Sequence, residues 1–318
     1  MKTVLITGGT GLLGKALTEA LLQRGFRVIV LTRDPGRQKP NHQYLKYAGW
    51  NVSAQTIDRE AIATADCIIH LAGASVAEKR WTTKRKKEII SSRVDSGKLI
   101  VESLKSIPNK IKAVINASAT GWYGPDLSPN PSTESGEGRK VAGFKETNPA
   151  ATDFLGQTCK KWEAAIEPVT DLDIRLVKLR IGIVLSNEGG ALKEFKKPLK
   201  FGIATILGSG NQIISWIHID DLVRMFLFML DNESLSGSFN AVSPNPVTNK
   251  ELILTIAEIE RGKRFIPVHV PAIALQIRLG EMSVEVLKSF TVSAEKIMQI
   301  GFIFQYPLLK DALYQLKK

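Results

Sequence analysis

The chain has 318 residues, of which 44% are hydrophobic and 23% charged, the composition of an ordinary globular protein with room for one large α/β unit or two lobes. It contains no run of about 18 apolar residues, which excludes a membrane-spanning helix, and its first apolar residues already read as a strand, so neither a cleaved leader nor a membrane partner is expected. The net charge is +12, and Cys67 and Cys159 are the two cysteines, too few for a disulfide framework or a zinc site and in keeping with a reducing, cytoplasmic setting.

Val4-Leu5-Ile6 reads as a buried parallel strand. It runs into Gly8-x-x-Gly11-x-x-Gly14 and then into an amphipathic stretch with Leu13, Leu17, Ala20 and Leu21 on one face. Strand, glycine turn and helix in that order form a dinucleotide cradle: glycine lets the backbone approach a pyrophosphate, and the helix N-terminus offers it free N–H groups and a positive dipole end. Gly9-x-x-x-x-Gly14-Lys15 is close to a phosphate-binding P-loop, but Ala16 has no hydroxyl for Mg²⁺. Gly25 is a C-cap for the first helix, and Phe26–Leu31 reads as the second strand, ending in Thr32-Arg33-Asp34. An acid at this strand end bonds the ribose 2′-OH of NAD, whereas an Arg meets the 2′-phosphate of NADP. Arg33 lies 19 residues after Gly14, which favours NADP over NAD, with Arg37 adding charge; Asp34 is the feature that would serve NAD.

Cys67–Gly73 reads as a fourth strand ending in a glycine turn, residues 84–106 as a helix, and Ala113–Ser118 as a fifth strand. Residues 125–151, rich in Pro, Gly, Ser and Glu, read as a long loop of the lid or substrate-rim kind. A helix over 152–167 and a strand over 174–185 follow. Ser215–Asp221 opens another structured block with Asp220 as a helix N-cap, and helices are expected near 271–279 and 307–316. Strand–helix alternation implies an α/β fold, a doubly wound parallel sheet (Rossmann) with a smaller C-terminal substrate lobe. Residues 1–185, with 212–242 returning to them, are expected to form the NADP-binding domain, and 186–211 with 243–318 the smaller lobe.

The basic clusters Lys79-Arg80, Lys84-Arg85-Lys86-Lys87, Lys193/Lys196-Lys197/Lys200 and Arg261-Gly262-Lys263-Arg264 are scattered and lack interleaved aromatics. They read as solvated helix faces whose field suits an anionic small-molecule substrate better than specific nucleic acid binding. The four histidines show no metal-ligand spacing, and His218-x-Asp220-Asp221 reads as a strand end followed by a cap, so no metal is expected. No Gly-x-Ser-x-Gly elbow occurs.

Thr7–Gly14, His70-Leu71-Ala72-Gly73, Ser118–Gly124 and Trp216–Asp221 together resemble the extended short-chain dehydrogenase/reductases, which include the nucleotide-sugar epimerases and dehydratases. Arg80-Trp81-Thr82, Asp153-Phe154-Leu155, Trp162-Glu163, Gly208-Ser209-Gly210, Leu279-Gly280-Glu281 and Gly301–Phe304 narrow the resemblance to the epimerase-like (SulA-like) branch with a small C-terminal domain of unknown function. The resemblance implies an NADP-dependent oxidoreductase, and a homodimer. Gly8, Gly11 and Gly14 are expected at the pyrophosphate with Thr10, Leu12 and Leu13 beside it, Arg33 at the 2′-phosphate, and Leu71, Ala72 and Gly73 along the adenosine ribose. Extended members use a Tyr-x-x-x-Lys pair on a helix, the tyrosine as acid/base and the lysine lowering its pKa. Aligning the Glu that follows that pair with Glu163 puts Leu155 at the tyrosine and Cys159 at the lysine, and neither supplies the chemistry. Ser118 or Thr120 stands where the superfamily places a substrate-bonding hydroxyl, Tyr123 is a nearby phenol, and Arg180 is a candidate for orienting substrate. Two readings stay open: hydride transfer on a carbonyl or carbinol carbon of a nucleotide-linked or other anionic substrate, and a non-catalytic NADP-binding sensor or scaffold.

Overall fold

The computed structural model describes residues 1–125 and 143–317. The chain forms two compact units, one of Met1–Ala119, Gln157–Arg180 and Leu222–Phe239, the other of Thr120–Gly156, Ile181–Asp221 and Asn240–Lys318. In chain order the first elements are β1 (Thr3–Thr7), α1 (Leu12–Gln23), β2 (Arg27–Thr32), β3 (Leu45–Asn51), β4 (Thr56–Ile57), α2 (Arg59–Thr64), β5 (Cys67–His70), α3 (Thr83–Ser106) and β6 (Ala113–Ala119). Then come α4 (Phe154–Ile166), β7 (Arg175–Ile181), β8 (Ile183–Ser186), α5 (Gly190–Leu199), β9 (Ile203–Leu207), β10 (Ile213–Ile214), β11 (Trp216–His218), α6 (Ile219–Asp231) and β12 (Gly237–Ala241). β13 (Val247–Thr248), α7 (Asn249–Arg261), β14 (Ile266–Val270), α8 (Ala272–Leu279), α9 (Ser283–Leu287), α10 (Glu295–Gln299) and α11 (Leu309–Gln315) complete the described chain.

The expected doubly wound sheet forms. Its strand order is β12-β7-β6-β5-β1-β2-β3-β4. β1 lies parallel to β2 on one side and to β5 on the other, with Val4 beside Val28 and Cys67, and Thr7 beside Leu31 and His70. β2–β3 and β5–β6 are also parallel. The chain order reverses beside β1, and in such sheets the crevice at the carboxyl ends of the strands around that point takes the ligand. Strands covered on both faces read as unbroken apolar runs, which is why Val28–Leu31 and Cys67-Ile68-Ile69 were legible. Leu5, Ile29, Ile68 and Val114 from the sheet share one apolar cluster with Leu99 and Ile100 of α3, each burial contributing about 1.5–3 kcal/mol. Thr82 caps α3 by accepting from Arg85 N (3.1 Å), and Gly97 lets α3 approach Ala165 closely, where an added Cβ would lie 3.3 Å from the Ala165 Cβ. The short antiparallel strand β4, paired to β3 through Trp50 and Ile57, had no sequence signal.

In the second unit β8 pairs parallel with β11, β9 with β14, and β10 antiparallel with β13. The single strand expected over 174–185 breaks at Gly182, where a side chain would meet Ser215 O at 2.6 Å. Asp220 is not the cap of α6. It lies in the first turn, and its N–H is taken by His218 Nδ1 (3.1 Å), so the imidazole does the capping. His218 Nε2 reaches Gln315 Oε1 (3.0 Å), and Asp221 accepts from Gln305 N and Tyr306 N (2.7 and 2.8 Å), which ties the C-terminal segment to this block. The helices expected near 271–279 and 307–316 are α8 and α11. Of the long loop expected over 125–151, residues 126–142 lie outside the described residues.

Candidate functional site

The turn between β1 and α1 is tight because glycine stands at each position that needs it. Gly8 has φ +69°, a conformation that disfavours any side chain, and a Cβ there would also press on Leu71 C at 3.0 Å. Gly11 N donates to Gly8 O (3.0 Å) to close the turn, and a Cβ on Gly14 would lie 2.3 Å from that same oxygen. Gly11 differs: a Cβ there would meet Gly8 O alone, at 3.3 Å, so its outward side is open. It is the N-cap of α1, with no side-chain cap and no acid in the first turn. The first N–H groups of an α-helix have no partner inside the helix, so α1 presents donors and a positive dipole end at an unblocked approach. Thr10 and Gly11 are exposed, Leu12 and Leu13 half-buried.

The end of β5 is drawn against this turn by a hydrogen-bond relay. Thr7 Oγ1 accepts from Leu71 N and Ala72 N (3.1 and 3.2 Å) and is 2.6 Å from His70 Nδ1. His70 Nε2 is 3.2 Å from Ser96 Oγ, whose proton goes to Ser92 O (2.8 Å). This network assigns Thr7 as donor to Nδ1 and leaves the proton of the neutral ring on Nε2. Burial pushes the His70 pKa down to about 3, which keeps the ring neutral. Gly8, Leu71 and Ala72 are thus brought together.

Arg33 is exposed and makes no hydrogen bond or ion pair among the described residues. Asp34, the feature that would serve NAD, is held by Arg37 Nε at 2.9 Å. Gly73 lies against Arg93 of α3, where a Cβ would be 3.0 Å from Arg93 Cζ. Arg93 was missed in the sequence, where it reads as one more cation of a basic helix. Its Nη1 donates to Ala74 O and Ile89 O (3.0 Å each), and its Cζ stands 4.9 Å from the Trp162 ring centroid. Burial lowers its pKa, although a guanidinium keeps its charge. The indole Nε1 of Trp162 is buried without a hydrogen-bond partner among the described residues.

The residues at the end of β6 and beyond it are placed differently. Ser118 Oγ donates to Glu163 Oε1 (2.7 Å), and Glu163 is gripped by Arg180 through Nε–Oε1 (2.9 Å) and Nη2–Oε2 (3.1 Å), all three side chains being buried. Arg180 therefore holds an internal carboxylate. Thr120 Oγ1 donates to Ile181 O (3.4 Å). Tyr123 is fully buried, stacks on Phe144 (5.2 Å) and donates to Asn240 Oδ1 (2.6 Å). Cys159 is buried and donates to Ala119 O (3.7 Å), and burial, with Glu163 adding to it, pushes its thiol up to about 12, the reverse of an activated nucleophile. Leu155 is half-buried, and Lys160 and Lys161 are exposed. His218 and Asp221 are taken up by the contacts of the second unit.

A glycine turn at the reversal point of a doubly wound sheet, opening a helix with bare N–H groups, defines a Rossmann protein of the dinucleotide-cradle class. Comparison with known proteins narrows this. Residues 4–152 match the NAD dependent epimerase/dehydratase family, and residues 270–316 match a C-terminal domain of unknown function, DUF1731. An epimerase family protein of Staphylococcus aureus is 37% identical over 318 residues, spanning 100% of both chains. One of Staphylococcus saprophyticus is also 37% identical, over 99% of both. The crystal structure of the human epimerase family protein SDR39U1 (isoform 2) with NADPH superposes with TM-score 0.83 at 28% identity, covering 99% of this chain and 98% of that one. MoeE5 in complex with UDP-glucuronic acid and NAD shares the fold, with TM-score 0.76 and 18% identity over 99% and 98% of the two chains. The chain belongs to the epimerase family, in the branch that carries the DUF1731 domain.

Proposed function

We propose that this protein binds NADP(H) in the turn between β1 and α1 and reads the 2′-phosphate with Arg33. The observation that carries this is the contrast at the end of β2: Asp34 is paired with Arg37, while Arg33 makes no ion pair among the described residues. A guanidinium grips a phosphate with two parallel bonds. Gly8, Gly11 and Gly14, with Thr10, Leu12 and Leu13, hold the pyrophosphate, and the open side of Gly11 fits a ligand approaching the backbone. Leu71, Ala72 and Gly73 flank the adenosine ribose. NADPH in the human relative supports the same cofactor here.

A nicotinamide held here would give hydride to a carbonyl carbon, or in its oxidised form take hydride from a carbinol carbon, of a nucleotide-linked or other anionic small substrate. The chain offers no lysine at Cys159, and Arg93, held over Trp162 and against Gly73, is one fixed positive charge of this region. We assign the nucleotide-binding lobe to residues 1–185 with 212–242 and the substrate lobe to the rest, a functional division that differs from the two compact units, which place 120–156, 181–185, 212–221 and 240–242 with the second. The two buried thiols suit a cytoplasmic protein, and a homodimer suits the superfamily.

A second reading has its own support. Ser118, Thr120 and Tyr123 each have an internal hydrogen-bond partner, and Leu155 has no proton to give. A non-catalytic sensor or scaffold that reports NADP occupancy needs no further group. Arg33→Ala tests the cofactor assignment: NADPH affinity falls roughly 10- to 100-fold while NADH affinity holds, and equal losses overturn it. NADPH turnover on a panel of anionic carbonyl compounds separates the two readings, since tight binding with no turnover on any of them favours the sensor.

A further inference from the structure

Two of the basic clusters are unused by the nucleotide site, and the structure brings them together. They lie in the second unit, each leading into one strand of the parallel pair β9–β14, where Ile266 stands beside Ile203 and Val268 beside Thr205. Side chains alternate across a strand. Ala204 and Ile206 are buried at 0% and 1% exposure on the side where α5 and α7 pack. The opposite face carries Ile203, Ile266 and Val268 at 39%, 69% and 40% exposure, and Phe201, just before β9, is exposed at 83%. The joint is close: Ile266 N donates to Gly202 O (2.8 Å), and a Cβ on Gly202 would be 3.6 Å from Arg261 Nη2.

Residues 193–203 and 258–268 together hold seven Lys and Arg against three Glu. Glu194 and Glu260 are neutralised by Lys197 (2.6 Å) and Lys196 (2.8 Å). Lys193, Lys200, Lys263 and Arg264 make no ion pair among the described residues. Parallel strands are ordinarily covered on both faces, and here one face is aliphatic, bare and bordered by free cations. A second copy would set those cations against their own kind across a two-fold contact. Phe201 is one exposed ring beside an aliphatic row, which gives successive nucleic acid bases no stacking platform. An anionic bilayer satisfies both parts, its headgroups taking the cations and its acyl boundary the apolar tips.

We propose that this face binds the surface of an anionic lipid bilayer, with Phe201 and Ile266 entering the headgroup layer. Among the described residues no helix is long and apolar enough to cross a membrane, so the contact is peripheral. The expectation of no membrane partner rested on the lack of a span, which a surface contact does not need. The site is independent of the nucleotide reading.

The test is co-sedimentation of the full chain with vesicles of phosphatidylcholine alone and of phosphatidylcholine with phosphatidylglycerol. Binding is expected to the anionic vesicles alone, falling as salt rises. Phe201→Ser lowers the partition coefficient about tenfold, and the double variant K200Q/R264Q lowers it roughly thirtyfold. Both changes are on exposed side chains, so the thermal midpoint stays at the wild-type value. No binding to anionic vesicles at low salt, or unchanged binding by both variants, overturns the proposal. A Phe201-dependent dimer in sedimentation velocity, or binding to an RNA duplex with none to vesicles, also overturns it and gives the face to a second copy or to nucleic acid.

Discussion

The turn after β1 and the segment after β6 are both rich in small and hydroxyl-bearing residues, yet they differ in what they leave free. After β1 the helix N-terminus has no side-chain cap and no acid, and Arg33 at the next strand end has no ion-pair partner among the described residues. At the end of β6 and just after it the polar groups are used internally: Ser118 on Glu163, Thr120 on Ile181, Tyr123 on Asn240. Buried polar groups are ordinarily satisfied, so the second region has the character of structure and the first that of a recognition surface. This is an epimerase-family protein whose first region is open at its surface and whose second region is closed on itself.

Gly14→Ala should break the first region most severely. Its Cβ would lie 2.3 Å from Gly8 O, so the turn must open, at about 3 kcal/mol in urea unfolding and with loss of NADPH binding. Gly11→Ala is the milder partner, because its Cβ meets Gly8 O alone at 3.3 Å. Near-native stability with weakened NADPH binding is expected, and full affinity would show that nothing approaches the backbone there. Arg93→Met comes next. It should lower the affinities for NADPH and for 2′-phospho-ADP-ribose alike, about tenfold, the worth of one charge-assisted hydrogen bond, because both carry the adenosine ribose that Gly73 flanks. Unchanged affinity for both ligands would make Arg93 a packing residue only.

The second region is sharpened by Tyr123→Phe. Removing the hydroxyl leaves Asn240 Oδ1 without that donor, so unfolding free energy should fall by about 1–2 kcal/mol while NADPH affinity holds. Loss of turnover without loss of stability would instead return Tyr123 to the chemistry. The smallest effect is the pH response of His70. Its folded pKa of about 3 lies below the ordinary 6.5, so the unfolded chain takes the proton first. Stability present above pH 6.5 is lost as pH falls toward 3, by up to about 1.4 kcal/mol per pH unit for one proton. His70→Gln, which keeps an acceptor and a donor, should reduce that slope between pH 6.5 and 5, as read by urea midpoints. An unchanged slope would place the proton uptake elsewhere, with His218, whose pKa burial also lowers, as the first alternative.

What was legible in the sequence was local. The glycine spacing, the apolar run of β2 and the period of α3 carry their structure within a few residues, and the family motifs are contiguous. What was hidden depends on distant partners. The Glu163–Arg180 pair joins α4 to β7, and nothing near Arg180 announces a buried carboxylate. Asp220 looked like a cap because the true one, the His218 imidazole, is an unusual acceptor in that role. Gly182 reads as an ordinary strand glycine until Ser215 O is seen beside it. Arg93 is indistinguishable from its neighbours on a basic helix until Gly73 and Trp162 flank it. The two basic clusters looked scattered because they meet through distant partners, the β9–β14 pairing and the Lys196–Glu260 ion pair.

The most direct test of the central claim is titration calorimetry of the purified full chain, stripped of bound nucleotide, with NADPH and with NADH. Tight NADPH binding and much weaker NADH binding are expected. Binding of neither would contradict that claim and would leave the turn after β1 as an element of the fold without a ligand.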